Sequence, residues 1–421
     1  PLAPSGVLLL WRPLTAALTR DPHSMTAAPQ RSHFALALML AALATLGPFS
    51  IDTFLPAMPT IARALGASPV AMQQALTVYL FCYGLMMLWH GGISDALGRK
   101  PVIVASTLVF TLASLGCALA QTLPQLLLFR ALQGLSGGAG LIVGRAVIRD
   151  TLDGPAAQKL MSHVTMLFSL SPAIAPVIGG WLFGAFGWHS IFIFMALIGA
   201  ALTLAAWLFL HESHPSHARQ PLQARALLAN YRLVAGQREF RLLAVAVACN
   251  FSGFFLYIPS APVFLMRHLG LNEQQFIYLF GPAVCGIMLG AFLSGRLAGR
   301  RSPREIVSLG YSLMAIAAVS NLLYNLWLPP ALPWSVLPLA CYTVGMSLVA
   351  PTVTLFLMDC FPSLRGATSS LQGFTQTLFS SLVAGVISPL LWDSPLTLAL
   401  GMCGFLACGY GLLWRVRRVR A

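Results

Sequence analysis

Long apolar runs separated by short polar stretches recur along the whole chain. A bilayer core of ~30 Å is crossed by ~20 apolar helical residues, and that rule predicts twelve spans. The first six cover roughly 34–55, 71–92, 102–121, 124–147, 160–184 and 190–210. The second six cover roughly 243–265, 276–298, 305–327, 333–358, 368–391 and 395–414. The runs are continuous and do not alternate with period two, which favours helices over barrel strands. The longest polar gap, His211 to Arg241, divides the pattern into six spans plus six, the layout of a transporter built from two related halves. The expected organisation is an N-terminal tail (1–33), a six-helix bundle (34–210), a linker loop (211–241), a second six-helix bundle (242–414) and a basic tail (415–421). The halves echo each other weakly: Leu55-Pro56-Ala57-Met58-Pro59 ends the first span, and Ile258-Pro259-Ser260-Ala261-Pro262 lies in the seventh.

Composition strengthens the membrane reading. Hydrophobic residues make up 57% of the 421 positions and charged residues 9%, with mean hydropathy +0.79. A soluble domain carries about 25% charged residues, so a soluble enzyme is excluded, as is a disordered chain. The eight cysteines lie in or beside apolar runs without a CxxC pair and read as small buried hydrophobes. The apolar stretch Val7–Trp11 is too short for a signal peptide core, and Met25 is a candidate natural start; the first 33 residues are read as a mobile tail to which no function is assigned.

The net charge of +14 is distributed unevenly. One set of loops holds Arg99, Lys100, Arg149, Lys159, Arg219, Arg225, Arg232, Arg238, Arg241, Arg296, Arg300, Arg301, Arg304, Arg365 and the tail Arg415, Arg417, Arg418 and Arg420. The other set holds only Arg63 and Arg267. The positive-inside rule then places both termini and the linker in the cytoplasm, and the basic balance reflects orientation rather than nucleic-acid binding.

Gly91-Gly92-Ile93-Ser94-Asp95-Ala96-Leu97-Gly98-Arg99-Lys100-Pro101 forms the turn between spans 2 and 3. Its acid can pair with a base or a helix N-terminus and latch one bundle against another; the plainer alternative is an ordinary basic loop. The pattern G-x3-D-x2-G-R-[KR] resembles the signature loop of the major facilitator superfamily. Asp52-Thr53-Phe54-Leu55-Pro56-Ala57-Met58-Pro59 is similar to the first span of its Bcr/CflA drug-resistance subfamily. So are Arg130-Ala131-Leu132-Gln133-Gly134, Arg149-Asp150, Pro172-Ala173-Ile174-Ala175-Pro176-Val177-Ile178-Gly179-Gly180 and Gly187-Trp188. The resemblance covers about residues 34–410. Ala96 and His189 depart from the pattern, at a signature position that often holds a base and at one where arginine is usual.

The resemblance implies an all-α membrane protein of twelve transmembrane helices in two six-helix bundles, acting as a proton-coupled drug antiporter. It implies a cytoplasmic latch on Gly91, Asp95, Gly98, Arg99, Lys100, Arg149 and Asp150, and a bundle interface on Pro172, Pro176, Gly179 and Gly180. Charge leads to a compatible place, because ionisable groups inside spans are costly and usually functional. Asp52 is the one carboxylate inside a span of the N-terminal half. At 1.5 Å per residue it lies ~27 Å from the inner end of its span, and Arg130 lies ~9 Å from the outer end of its own. An Asp52–Arg130 pair is expected to neutralise both charges, and protonation of Asp52 to weaken it. The alternatives are an acid solvated at the span end and an arginine clamping backbone carbonyls. Arg145, near the inner end of span 4, is expected to snorkel.

Tyr79, Tyr83, Gln133, Asn250, Phe254, Tyr257, Gln372 and Gln376 are candidate walls of a substrate cavity, since drug sites combine apolar surfaces with a few polar groups. The competing reading is interhelical hydrogen bonding. Three further patterns carry nothing. Gly134-Leu135-Ser136-Gly137-Gly138 matches a hydrolase elbow but lies mid-helix. His211, His214 and His217 lack the further ligands a metal shell needs. No phosphate-binding G-x4-G-K-[ST] loop appears, so an ion gradient rather than ATP is the expected energy source. The expectation is a monomeric exporter of small drugs in the bacterial inner membrane, taking protons and drug as partners with no cofactor, metal or nucleic acid. An exporter of amino acids, sugars or siderophores is the nearest rival; a receptor or scaffold, then a membrane enzyme, follow.

Overall fold

The computed structural model describes residues 30–152, 154–219 and 221–419, so most of the expected N-terminal tail, and Arg420 of the basic tail, lie outside the described residues. The described chain is helical, without strands. The first crossing is made by α1 (Gln30–Asp52), a 3-10 turn over Leu55–Ala57 and α2 (Met58–Ala64). The second is α3 (Pro69–Met87), followed by the short α4 (His90–Leu97), and the third is α5 (Arg99–Ala118). The fourth is α6 (Leu123–Gly137) with α7 (Ala139–Thr151), and the fifth and sixth are α8 (Gly154–Phe186) and α9 (His189–Phe209). The linker contributes α10 (Ala224–Gly236). In the second half, α11 (Arg238–Phe255) leads through a turn into a π-helix over Pro262–His268. Then come α12 (Ile277–Leu297), α13 (Pro303–Trp327) and α14 (Leu337–Asp359). The chain ends with α15 (Arg365–Leu382), a π-helix over Val383–Ile387, α16 (Ser388–Leu391) and α17 (Pro395–Val419).

Local chemistry sets several starts. Ser68 and Thr122 accept hydrogen bonds from the first turns of α3 and α6, each followed by proline where no donor is needed. Ser302 and Glu305 form a reciprocal capping box at α13.

Among the described residues eleven helices are long and apolar enough to cross a membrane. The seventh expected crossing does not meet that measure. Its first helix carries Arg238, Glu239 and Arg241 near its start and stops at Phe255. Pro259 has no N–H to donate to the Phe255 carbonyl four residues back, so the ladder ends there. The first crossing breaks by the same rule: α1 stops at Asp52, four residues before Pro56. That crossing then extends to Ala64, past the expected edge.

Within the first half α5 packs on α9 and α6, α3 on α6, and α1 on α8 and α7. Within the second, α14 packs on α12 and α13, and α17 on α11 and α13. The halves meet where α3 packs on α15 and α8 on α12. One apolar cluster spans both halves and includes Phe54, Tyr79, Phe254 and Tyr257; a second belongs to the first half, around Leu40, Ile103, Phe110 and Met195. The outer surface is apolar too. Leu112, Leu197 and Ile316 stand exposed mid-helix, and Trp327 at a helix end, as a lipid-facing wall with an interfacial tryptophan requires.

Candidate functional site

The break in the first crossing builds the site. Asp52 is the last residue of α1 and is 5% exposed. Among the described residues no hydrogen bond or ion pair reaches its carboxylate. Arg130 on α6 is fully buried nearby in the same half. Its guanidinium lies between two rings, 4.7 Å from the centre of Phe54 and 4.3 Å from that of Tyr79. Its Nη1 donates to the Ser50 hydroxyl at 3.0 Å, the Ser50 carbonyl at 3.3 Å and Gln133 Oε1 at 2.9 Å. Its Nε donates to the Ala75 carbonyl at 3.4 Å, and among the described residues Nη2 has no partner. The ion pair expected between Asp52 and Arg130 is therefore not formed among the described residues. Arg130 instead clamps α1 and α3 through the Ser50 and Ala75 carbonyls.

The turn between spans 2 and 3 gathers most of the expected latch. The Arg99 side chain donates through Nε to Asp150 Oδ2 at 2.9 Å, and through Nη1 to Asp95 and to Ser94 Oγ at 2.7 Å. Gly98 supplies a φ of +104° there, a conformation that favours glycine. Among the described residues Lys100 and Arg149 make no ion pair. A residue outside the sequence expectation enters instead. Glu212, at the start of the linker, accepts the Arg99 backbone N–H at 2.9 Å and that of His214 at 2.9 Å. Ser213 donates to Asp150 at 3.2 Å, and Arg219 lies 3.6 Å from Glu212. The linker also docks through α10, whose Tyr231 donates to the Leu88 carbonyl at 2.7 Å. Burial raises that phenol above its ordinary pKa, against a smaller opposing effect of a hydrogen bond with Ser370 in the second half.

The glycines of the α8 motif face two ways. A Cβ on Gly179 would strike the Thr53 carbonyl, next to Asp52. A Cβ on Gly180 would strike the Glu273 carbonyl, in the second half. Pro172 and Pro176 lie inside the same helix. On the other seam, Gln73 donates to the Pro259 carbonyl at 3.3 Å and Ser381 to the Thr77 carbonyl at 3.0 Å.

Most of the cavity candidates are tied into packing. Tyr79 donates to the Gly47 carbonyl at 2.8 Å and stacks on Tyr83, with ring centres 6.1 Å apart. Gln133 donates to Ser114 at 2.7 Å while holding Arg130. Asn250 donates to the Tyr311 hydroxyl and Asn321 to the Tyr257 hydroxyl, each at 2.7 Å. Gln372 donates to Thr354 at 3.0 Å, and Phe254 is buried. Asn250 and Gln376, from spans 7 and 11, do line a common cavity of about 70 Å3, and Asn250 Oδ1 is unpaired.

A larger cleft, about 940 Å3, opens between the first half of α8 and the second half of α12, with Gln158, Ser162, Thr165 and Ser169 on one side and Ile287, Met288 and Phe292 on the other. The polar positions recur every three or four residues, the signal by which that face is found in sequence.

Among the described residues no cluster of side chains could hold a metal ion. The profile of the Major Facilitator Superfamily matches residues 38–385. An MFS-type transporter, YdgK, of Bacillus subtilis is 30% identical over 359 residues, covering 85% of this chain and 89% of its own. The bicyclomycin resistance protein homolog of Haemophilus influenzae is 26% identical over 382 residues, covering 89% and 94%. Multidrug resistance protein D of Escherichia coli is 28% identical over 358 residues, covering 83% and 88%. Among solved structures, an inward-facing bacterial homolog of the human lysosomal transporter Spinster superposes with TM-score 0.71 at 16% identity, over 93% of this chain and 98% of that one. A two-half helical fold with the signature loop at its second turn, matched along its length by that profile and those relatives, makes the chain a member of the major facilitator superfamily.

Proposed function

We propose that this protein exports small amphipathic drugs in exchange for protons, from a bacterial inner membrane, with both termini and the linker cytoplasmic. The observation that carries the reading is the Asp52 carboxylate: buried at the break of the first crossing, without a partner among the described residues, and two positions from Ser50, which Arg130 holds. An acid placed so gains or loses a proton without breaking an ion pair. The Gly179–Thr53 contact links this break to α8, and Gly180 continues from α8 to the second half, so a shift at Asp52 has a packed route to the seam between halves. Asp95, Gly98, Arg99 and Asp150, with Gly91, Lys100 and Arg149 in the same turns, form the latch on the linker side. Asn250 and Gln376, which line one cavity, remain the candidates for contact with drug. The bicyclomycin- and multidrug-resistance names of the relatives support export of that class.

The test is chloramphenicol or bicyclomycin flux in proteoliposomes with an imposed pH gradient. Wild-type protein exchanges drug against protons, and Asp52→Asn, inserted at equal level, loses at least ten-fold of the gradient-driven flux. Flux indifferent to pH, or unchanged in the variant, overturns the reading. A growth-inhibition panel in an efflux-deficient host then fixes the drug range.

A further inference from the structure

The face opposite the linker holds a recess of about 440 Å3. Its volume falls in the ~300–1,000 Å3 range of small-molecule sites. Its floor is apolar and shared between the halves, with Met58 and Met72 from the first and Pro262 and Trp392 from the second, all buried. Beneath the floor Gln73 donates to the Pro259 carbonyl, joining the halves at that level. The rim carries Arg63 and Arg267, both exposed.

Those two arginines are the only ones that the loop-charge pattern assigns to this face. Orientation disfavours cations there, so their presence calls for a second cause, and both border one recess. Arg63 donates to the Thr60 hydroxyl at 3.0 Å and makes no ion pair among the described residues. Arg267 meets Asp393 at 3.2 Å, with side chains 67% and 75% exposed. A pair that open to water is weak and readily exchanged for another anion. The local balance is two positive charges against one negative, above an apolar, thioether- and indole-lined bed.

We propose that this recess binds a small lipophilic anion, its apolar body on Met58, Met72 and Trp392 and its charged group between Arg63 and Arg267. Because the floor comes from both halves, an occupant bridges them and holds this face closed. The site is separate from the Asp52 region, and its occupancy is read by binding alone, whether or not the chain exchanges protons for drug.

The experiment is equilibrium binding of 2-naphthalenesulfonate to the full chain in phosphatidylcholine nanodiscs, by titration calorimetry. Neutral 2-naphthalenesulfonamide is the matched control. One sulfonate binds per chain, and the sulfonamide binds at least ten-fold more weakly. Arg63→Gln with Arg267→Gln weakens sulfonate binding at least ten-fold and leaves the sulfonamide unchanged. Both arginines are exposed, so the fold survives their removal. Ala67→Trp, at the half-buried edge, fills the recess with the charges intact and also abolishes binding. Equal affinity for the two compounds, or sulfonate binding that survives both sets of substitutions, overturns the proposal and identifies partition into lipid or another site.

Discussion

The backbone N–H of Arg99 donates to the Glu212 carboxylate at 2.9 Å, across 113 positions of sequence. This contact ties the start of the linker to the first turn of α5, where a free donor otherwise faces the helix end. A carboxylate there also complements the positive end of the helix. Glu212→Ala is expected to lower stability by about 1 kcal/mol, the usual cost of a lost cap, while Glu212→Gln keeps an acceptor and loses less. Thermal unfolding of the purified protein checks the order.

The acids around Arg99 rank by exposure. The Asp95 side chain is 53% exposed and that of Asp150 is 23% exposed. Asp95→Asn is expected to cost well under ~1 kcal/mol, and Asp150→Asn more, because the second pair is less screened and also receives Ser213. The same unfolding measurement decides, and equal losses would show that exposure does not set the strength of the two pairs.

Gly179 and Gly180 separate two kinds of packing. Gly179→Ala presses on Thr53 within one half and is expected to cost about 1–3 kcal/mol of stability. Gly180→Ala presses on Glu273 in the other half, so its strain is relieved when the halves part. A cysteine placed at Gln73, beneath the seam, should then react several-fold faster with an impermeant maleimide in the Gly180 variant than in the Gly179 variant. Equal rates would remove the distinction.

Arg130→Lys keeps the charge and loses the planar fork that serves Ser50, Gln133 and Ala75 while stacking on Phe54 and Tyr79. The expected loss is roughly 1.5–3 kcal/mol, the value of a hydrogen bond to a charged group. Gln133→Leu should destabilise in the same range, and the double variant should fall short of the sum because the two share one bond. A thermal double-mutant cycle measures the coupling.

Spans were legible in the sequence because crossing a bilayer imposes a length on each apolar run. The breaks at Asp52 and Phe255 were also within reach, since each stands four residues before a proline. Hydropathy marks the seventh crossing but not its interruption, because it reports composition and not an unbroken ladder. Arg130 was recognised as an expensive buried charge, but its partners were not. An arginine can be neutralised by an acid or solvated by carbonyls, a hydroxyl and two rings, and sequence spacing does not choose between them. Glu212 was hidden for a related reason. It sits in a polar gap where every charge reads as solvated, and only the folded linker brings it to Arg99.

The paired breaks offer the sharpest test of what Asp52 does. Pro56 and Pro259 occupy matching places in the two half-repeats, and the residues four positions earlier are Asp52 and Phe255. Pro56→Ala and Pro259→Ala each return an N–H that can donate four residues back and favour a continuous helix, which removes a penalty of up to ~3 kcal/mol for proline in a helix interior. If the break serves only to let the halves move, the two variants should slow drug flux alike. If it serves to present an acid, Pro56→Ala should lose the pH dependence of flux while Pro259→Ala retains it, because Phe255 carries no proton. Flux measured at several imposed gradients, with total drug binding as the control for folding, separates the two. Loss of pH dependence in both variants, or in neither, would detach Asp52 from the geometry of its break.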